Sequence, residues 1–355
     1  MVPPSGLDIL AARIEQVPQY LQLTWDASLP GHCLLGGIEQ VAVTGIGSSE
    51  AAAKYLVSLL NRTGVVQAEF LPTAAFYAEL PAGCAAKQLV VFTQGLSPNA
   101  QIAIAGREHF AGLTLVTSST VEGQRQAGKV DRAALLERLE REGAMILTHP
   151  MEDEFEILPR VIGPICALLA AWQIQQSLSH HGPVVPMQSL LRQVWAAELP
   201  DVASLERCAA ELLAGTDFYF TNSSSLYAQN LPAKVLETVF CAAPRIRDVF
   251  DYAHGPFQAD RVRPLNRWIF TSETPAEVDL LTRLQPLLER INPPTIIRSP
   301  LAEPFAIFYY ERFLNAVVLR AANLAGHDLV NWPGKSEDGE GYALAHAYGS
   351  GTAEL

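Results

Sequence analysis

Charged residues are scarce in this chain of 355 residues: they fill 17% of the positions, whereas hydrophobic residues fill 49%. A chain of this composition buries a large core, which excludes an intrinsically disordered protein. The charges that are present are mostly acidic, because 25 Lys and Arg residues against 37 Asp and Glu residues give a net charge of −12. A nucleic-acid-binding protein is therefore not expected, since it would need a basic face.

Long hydrophobic runs are also missing. The longest nearly uninterrupted apolar segment is Val161–Trp172, and a membrane-spanning helix needs about 20 apolar residues. This segment therefore predicts a buried helix. The first residues show neither the basic nor the apolar region of a secretory signal. We expect a cytoplasmic protein that does not associate with membranes.

Cysteine is rare, and its pattern excludes a zinc site. The five cysteines are widely spaced and form no Cys-x-x-Cys pair or Cys/His cluster. We interpret them as buried thiols in a reducing compartment. Glycine-rich nucleotide motifs (Walker A, GxGxxG) are absent as well, so nucleotide binding is not favoured. Neither a metal nor an organic cofactor is expected.

The chain does contain an internal repeat with an offset of about 177 residues. Three apolar, strand-like runs of the first half have counterparts in the second half: Val41–Thr44 with Phe218–Thr221, Val90–Thr93 with Trp268–Thr271, and Leu113–Thr117 with Thr295–Ser299. Three landmark pairs at similar offsets, of 177, 178 and 182 residues, indicate a duplicated domain.

Each copy alternates short apolar runs with helix-like segments. Apolar runs without polar alternation are typical of strands buried on both faces, as in parallel sheets. The predicted fold is therefore α/β, with two similar domains that each contain a mostly parallel sheet flanked by helices. The expected boundaries are an N-terminal helix (1–24), a first domain (25–175), a linker (176–194), a second domain (195–330) and a C-terminal tail (331–355).

Small hydroxyl residues follow the predicted strands of the first copy, at the sheet edge where open α/β sheets bind ligands. They include Ser48 and Ser49 after the first strand, Thr93 and Ser97 after the next, and Ser118 after the third. One such cluster alone would indicate only helix N-caps. Three clusters at successive strand ends favour a phosphate site, because hydroxyls and helix-start N–H groups bind anions.

An acidic run from Glu152 to Glu154 is interpreted as a helix start that faces solvent.

Three segments resemble motifs of the tandem sugar isomerase (SIS) domain family. Gly45–Ala52 (GIGSSEAA) resembles the first SIS loop, Thr93–Ala100 (TQGLSPNA) resembles the serine-rich second phosphate loop, and Asp251–Phe257 (DYAHGPF) is similar to the His-Gly-Pro segment. The order of the motifs, the repeat and the length also resemble tandem-SIS proteins, over roughly residues 25–340. Only about 35 residues precede the first copy, so a glutaminase domain is not expected.

The resemblance implies a site and a reaction. The residues that would bind a sugar phosphate are Ser48, Ser49, Thr93, Gln94, Ser97 and Ser118. Glu237 matches the family's glutamate base, His254 the histidine that assists ring opening, and Lys335 a lysine of the C-terminal tail that meets the open-chain sugar. The implied activity is aldose–ketose isomerisation of a hexose or amino-hexose phosphate, with or without deamination. The family also implies a homodimer.

The implied chemistry suits these residue types. A buried carboxylate is a suitable base for moving a proton between adjacent carbons, and histidine exchanges protons near neutral pH. The second phosphate loop, however, is one residue shorter than in relatives and passes from Gln94 directly to Gly95 and Leu96. A non-catalytic sugar-phosphate-binding regulator is therefore the alternative, since this fold also serves as a binding module.

Overall fold

The structure, a computed structural model, describes residues 4–27, 39–64, 66–151, 154–178, 187–240, 243–262 and 265–344. The first helix, α1, spans Gly6–Asp26. The chain forms two compact units. The described residues of the first unit lie within Gln19–Glu154, Ile162–Val184 and Pro333–Leu355, and those of the second within Met1–Pro18, Phe155–Val161 and Val185–Trp332.

Strands and helices alternate in the first unit. Its elements are β1 (Gln40–Gly45), α2 (Ser48–Thr63), β2 (Gln67–Phe70), α3 (Thr73–Ala78), β3 (Gln88–Phe92), α4 (Pro98–Ala105), β4 (Gly112–Thr117), α5 (Val121–Gln126), α6 (Val130–Arg141), β5 (Met145–Thr148) and α7 (Ile162–Leu178). The strands pair in the order β2-β1-β3-β4-β5, and every pairing is parallel. The predicted parallel sheet is confirmed.

Helices cover both faces of this sheet, which explains why nearly every residue of β1, β3 and β4 is buried. On one face α2 packs against α7, and α7 is the buried helix that the apolar segment predicts. On the other face Leu136 and Leu139 of α6 pack with Ile104 of α4 onto Leu89 and Leu115 of the strands. Each fully buried leucine contributes about 1.5–3 kcal/mol to the stability of this layer.

The second unit repeats the same plan. Its elements are α8 (Met187–Ala196), α9 (Val202–Ala214), β6 (Thr216–Phe220), α10 (Asn230–Val239), β7 (Ile246–Asp248), α11 (Val249–Tyr252), α12 (Pro256–Asp260), β8 (Asn266–Thr271), α13 (Pro275–Glu289), β9 (Thr295–Arg298) and α14 (Ala306–Ala325). A last short helix, α15 (Asp338–Gly341), belongs to the first unit.

The sheet of the second unit has the order β7-β6-β8-β9, again with parallel pairings only. This is the order of the first four strands of the first unit, with β6 in the place of β1 and β8 in the place of β3. The duplication that the repeat predicts is therefore confirmed. Within the described residues, β5 has no counterpart in the second sheet.

Three of the five cysteines lie in the described parts of the chain, and all three are buried free thiols, as predicted. Burial raises the pKa of the Cys166 thiol to about 12 and that of Cys208 to about 11, so neither forms a reactive thiolate at neutral pH. Cys33 and Cys241 lie outside the described residues, as do positions 179–186 of the predicted linker. No helix among the described residues is long and apolar enough to cross a membrane.

Candidate functional site

The first predicted loop joins β1 to α2. Ser48 and Ser49 form the first residues of α2, where backbone N–H groups lack helical partners. The end of β1 lies close to the first turn of α2, and Gly45 allows this contact, because a Cβ atom at that position would lie 2.5 Å from the Ser49 carbonyl oxygen. Ser48 is half-buried and Ser49 is buried. The loop therefore places two hydroxyls at the N-terminus of α2, beside the carboxyl end of β1.

The second predicted loop joins β3 to α4. The Leu96 N–H donates to Thr93 Oγ1 at 3.2 Å, and the Ala100 N–H donates to Ser97 Oγ at 3.3 Å. Ser97 is therefore an N-cap, and its own hydroxyl proton is not used in that bond. Leu96 is buried and has a φ of 54°, a conformation that is unfavourable for leucine. This turn closes the loop between β3 and α4.

Three hydroxyls at the end of β4 and directly after it donate to one acceptor. Thr117 Oγ1, Ser118 Oγ and Ser119 Oγ lie 3.1, 2.9 and 3.2 Å from the Gln94 carbonyl oxygen. In this structure Ser118 therefore holds the backbone of Gln94 in place. The second and third predicted loops are thus joined through one carbonyl, and the position of the Gln94 side chain depends on both.

The Gln94 side chain reaches a buried carboxylate. Gln94 Nε2 donates to Glu154 Oε2 at 3.3 Å, and Glu154 also accepts the N–H groups of Ile162 and Gly163 at 2.9 and 2.8 Å. Glu154 thus caps α7 and is only 1% exposed. The interpretation of this glutamate as solvent-facing is wrong, because the N-terminus of a buried helix supplies the donors and the positive potential that a carboxylate needs. Glu152 and Asp153 lie outside the described residues.

A small cavity lies beside these loops. Its volume is about 10 Å³, and it is lined by Ser48, Ser49, Gln94, Val116, His149, Gly163, Pro164 and Ala167. A space of this size holds one water molecule or one hydroxyl group. Gly163 is required at its wall, because a Cβ atom there would lie 2.4 Å from Gln94 Oε1.

His149, which the sequence analysis did not identify, faces this cavity directly after β5. It is 2% exposed, and its Nδ1 has no hydrogen-bond partner within the described residues. Burial lowers the pKa of the imidazole to about 4, so the side chain is neutral at pH 7. The signal for His149 in the sequence is its position directly after an apolar strand, the same position that marks the hydroxyls of the predicted loops.

The corresponding sheet edge of the second unit is filled by the chain's own carboxylates. Ser223 Oγ donates to Glu303 at 3.1 Å, and the hydroxyls of Ser224 and Tyr227 donate to the same carboxylate. These serines follow β6, as Ser48 and Ser49 follow β1. The first loop of the second unit therefore already holds an anionic group, which comes from its own chain.

A second carboxylate occupies the next loop of that unit. Glu277 accepts bonds from Thr221 Oγ1 at 2.9 Å, from Asn222 Nδ2 at 2.8 Å and from Ser272 Oγ at 2.8 Å. Burial alone would raise the pKa of Glu277, but hydrogen bonds from Thr274, Ser272 and Thr221 hold it below its usual value. A phosphate at this edge would meet two carboxylates. The loops after β1 and β3 present the hydroxyls of Ser48, Ser49, Thr93 and Ser97, and the one carboxylate described beside them, Glu154, is bound by N–H groups of α7 and by Gln94.

The three residues that the resemblance assigns to catalysis are divided between the units. Glu237 lies half-buried on α10, which begins at Asn230 and has Pro232 in its first turn. His254 is exposed in the turn between α11 and α12, where Gly255 has a φ of 130°. Lys335 is exposed and belongs to the first unit, just before α15.

The C-terminal segment is attached to the helix that follows the second loop. Asn99 in the first turn of α4 donates its backbone N–H to the Tyr342 carbonyl at 3.1 Å and its Nδ2 to the Gly341 carbonyl at 2.9 Å. The Leu344 N–H donates to Asn99 Oδ1 at 3.1 Å. One side chain and one backbone group thus hold the segment that carries Lys335 beside the serine-rich loop.

Helix α10, which carries Glu237, is anchored by a buried ion pair. Lys234 Nζ donates to Glu311 Oε2 of α14 at 2.5 Å, and both side chains are almost completely buried. Asn230 Nδ2 donates to the other carboxylate oxygen at 2.7 Å, and Lys234 also donates to Asn315. This network fixes the rotation of α10 about its axis. Because Glu237 lies three residues after Lys234 on the same helix, it also fixes the direction in which the Glu237 side chain projects.

Searches for similar proteins find structural matches only. No protein-family model and no curated protein matches the chain. Among solved structures, the C-terminal domain of glucosamine-fructose-6-phosphate aminotransferase from Francisella tularensis aligns with a TM-score of 0.69 and 11% identity, over 92% of this chain and 98% of that one.

Two further solved structures align over most of both chains. Tagatose-6-phosphate ketose/aldose isomerase from Escherichia coli has a TM-score of 0.67 and 16% identity, over 91% and 94% of the two chains. Glucosamine-6-phosphate deaminase from Thermotoga maritima has a TM-score of 0.61 and 12% identity, over 95% of each chain. The chain therefore has the tandem-SIS fold that its motifs predict.

Proposed function

We propose that this protein is a phosphosugar isomerase that interconverts the aldose and ketose forms of a hexose or amino-hexose phosphate, with or without deamination. The observation that carries the proposal is the contrast between the two units. The first unit presents the hydroxyls of Ser48 and Ser49 beside a small cavity, and its buried carboxylate, Glu154, is bound by N–H groups of α7 and by Gln94. In the second unit, hydroxyls of the equivalent loops are bound to Glu303 and Glu277. The phosphate is assigned to Ser48, Ser49, Thr93 and Ser97, with Gln94 held nearby.

The proposed reaction needs a base, a group for ring opening and a cation. Glu237 takes the C2 proton of the open-chain aldose and returns a proton to C1 of the enediol, which gives the ketose. His254 exchanges protons with the ring oxygen and the anomeric hydroxyl, and Lys335 stabilises negative charge on the enediol oxygens. These roles come from the resemblance to the SIS family. We further propose that the protein acts as a homodimer in the cytoplasm.

The decisive experiment is proton NMR in deuterated water with fructose 6-phosphate and glucosamine 6-phosphate as separate substrates. We expect loss of the C2 proton signal of an aldose phosphate, or a new anomeric signal from a ketose phosphate. Glu237→Gln should abolish this exchange, whereas the matched control Glu206→Gln, on the exposed face of α9, should leave it unchanged. Full exchange in Glu237→Gln would show that another group is the base.

Ligand binding tests the phosphate site separately from catalysis. Ser49→Ala should reduce stabilisation by the sugar phosphate in a thermal unfolding assay, whereas Ser58→Ala, further along the same helix, should not. Thermal stabilisation of the wild-type protein without any proton exchange would support the regulator instead. A monomer in light scattering would contradict the proposed homodimer.

A further inference from the structure

The buried imidazole of His149 has no role in the proposed phosphate site, yet it faces the same cavity as Ser48 and Ser49. Its Nδ1 is buried and has no hydrogen-bond partner within the described residues. Buried polar groups in folded proteins are almost always hydrogen-bonded, so an exception requires an explanation. A partner supplied by a bound ligand would satisfy this nitrogen.

We propose that His149 binds one uncharged hydroxyl of the sugar and so selects the sugar, while the serine and threonine loops hold the phosphate. This inference rests on the proposed function and assigns a specificity role to a residue outside the motifs.

The size of the cavity indicates what enters it. Its volume of about 10 Å³ accommodates a single oxygen atom with its hydrogen, and a phosphate group is several times larger. The groups beside His149 are the hydroxyls of Ser48 and Ser49 and the carboxamide of Gln94, and the remaining lining residues are Val116, Gly163, Pro164 and Ala167. All of these are uncharged, so the cavity suits a neutral polar group.

The hydrogen-bonding capacity of a neutral imidazole also favours an uncharged hydroxyl as the ligand. One ring nitrogen donates and the other accepts, so either can pair with a hydroxyl, which also donates and accepts. Phosphate, in contrast, accepts only, and it is bound best by charged donors or by several N–H groups. His149 is therefore suited to a sugar hydroxyl, and the Gln94 carboxamide beside it offers a second neutral partner.

The position of His149 is also fixed independently of a ligand. It follows β5, and its backbone N–H donates to the Thr117 carbonyl at 3.0 Å, which continues the pairing of β5 with β4. The backbone of His149 is therefore held at the end of a paired strand, as a specificity residue requires.

The test compares His149→Leu, which has a similar volume but no polar atom, with His149→Gln, which keeps a donor and an acceptor. The matched control is His109→Leu, at an exposed position of the same unit. Calorimetry measures the affinity of each protein for glucosamine 6-phosphate, fructose 6-phosphate and inorganic phosphate. Loss of one neutral hydrogen bond predicts about tenfold weaker binding of the hexose phosphate by His149→Leu.

We expect His149→Gln to recover most of this loss, and we expect all four proteins to bind inorganic phosphate equally. If the wild-type protein binds no hexose phosphate, the proposed function fails. If the wild-type protein binds a hexose phosphate and His149→Leu binds it equally well, the proposed function stands and the role of His149 is refuted.

The wild-type protein provides a test that does not depend on the folding of a variant. The ¹⁵N resonances of the His149 ring should shift on addition of whichever hexose phosphate the wild-type protein binds. They should not shift on addition of inorganic phosphate alone. Monodeoxy analogues of the same hexose phosphate should include one that binds about tenfold more weakly than the parent. An unchanged His149 resonance, or equal affinity for every analogue, would overturn the inference.

Discussion

The buried pair of Lys234 and Glu311 allows a stability prediction whose magnitude follows from its geometry. At a separation of 2.5 Å, two unit charges attract by about 7 kcal/mol at an effective dielectric constant of about 20. This attraction offsets the several kcal/mol that each ion costs when it leaves water. Glu311→Gln keeps the shape of the side chain but removes its charge, and Lys234 then remains buried without an anionic partner. The expected cost is about 3–5 kcal/mol in the free energy of unfolding.

Urea unfolding followed by circular dichroism and tryptophan fluorescence measures this cost, because Trp268 is buried in the same unit. The double variant Lys234→Met with Glu311→Gln has no charge at either of these two positions and keeps an acceptor for Asn230. It should therefore recover most of the lost stability. The control is Arg283→Ala, which removes an exposed pair with Asp279 and should change the free energy of unfolding by less than about 0.5 kcal/mol.

Two results would refute this reasoning. A loss below about 1 kcal/mol for Glu311→Gln would show that the buried lysine does not need its anionic partner, or that it is neutral in the folded protein. A double variant as unstable as the single one would show that the cost arises from packing and not from an unpaired charge. The coupling energy of the double-mutant cycle separates the two cases.

Three further predictions concern the first unit. The pKa of His149 is about 4 in the folded protein, against an ordinary value of 6.5, so the unfolded state binds the proton first as the pH falls. The free energy of unfolding should therefore decrease by about 2 kcal/mol from pH 7 to pH 5. Urea unfolding should show a smaller decrease for His149→Leu, and an equal decrease would contradict the assignment. Gly163→Ala should displace the Gln94 carboxamide and weaken sugar-phosphate binding in calorimetry, and unchanged affinity would show that this carboxamide does not contribute. Asn99→Ala should release the segment around Tyr342, seen as faster amide hydrogen exchange at 341–344, and unchanged exchange would show that other contacts hold this segment.

Much of the fold could be predicted from the sequence because its determinants are local. Uninterrupted apolar runs such as Val90–Thr93 indicate strands buried on both faces, and the same runs recur in the second half, so two parallel sheets and a duplication follow. The start of α10 was also predictable, because Pro232 has no N–H group and is tolerated in the first turn of a helix. Strand-end hydroxyls such as Ser48 and Ser49 indicated the sheet edge where a ligand would bind.

The contents of the two sheet edges were decided only by tertiary structure. Glu303 meets Ser224 across 79 positions of sequence, and Glu154 meets Gln94 across 60. No local sequence pattern indicates such pairs. In an acidic run such as the one that contains Glu154, a glutamate that caps a buried helix cannot be distinguished from one that faces solvent. His149 likewise follows an unremarkable strand, and its role depends on the buried cavity that helices α2 and α7 close around it. The burial of a polar group and the presence of a partner for it are properties of the packed chain. The hydroxyl loops of the first unit and the carboxylate-filled loops of the second therefore became distinguishable only in the folded protein.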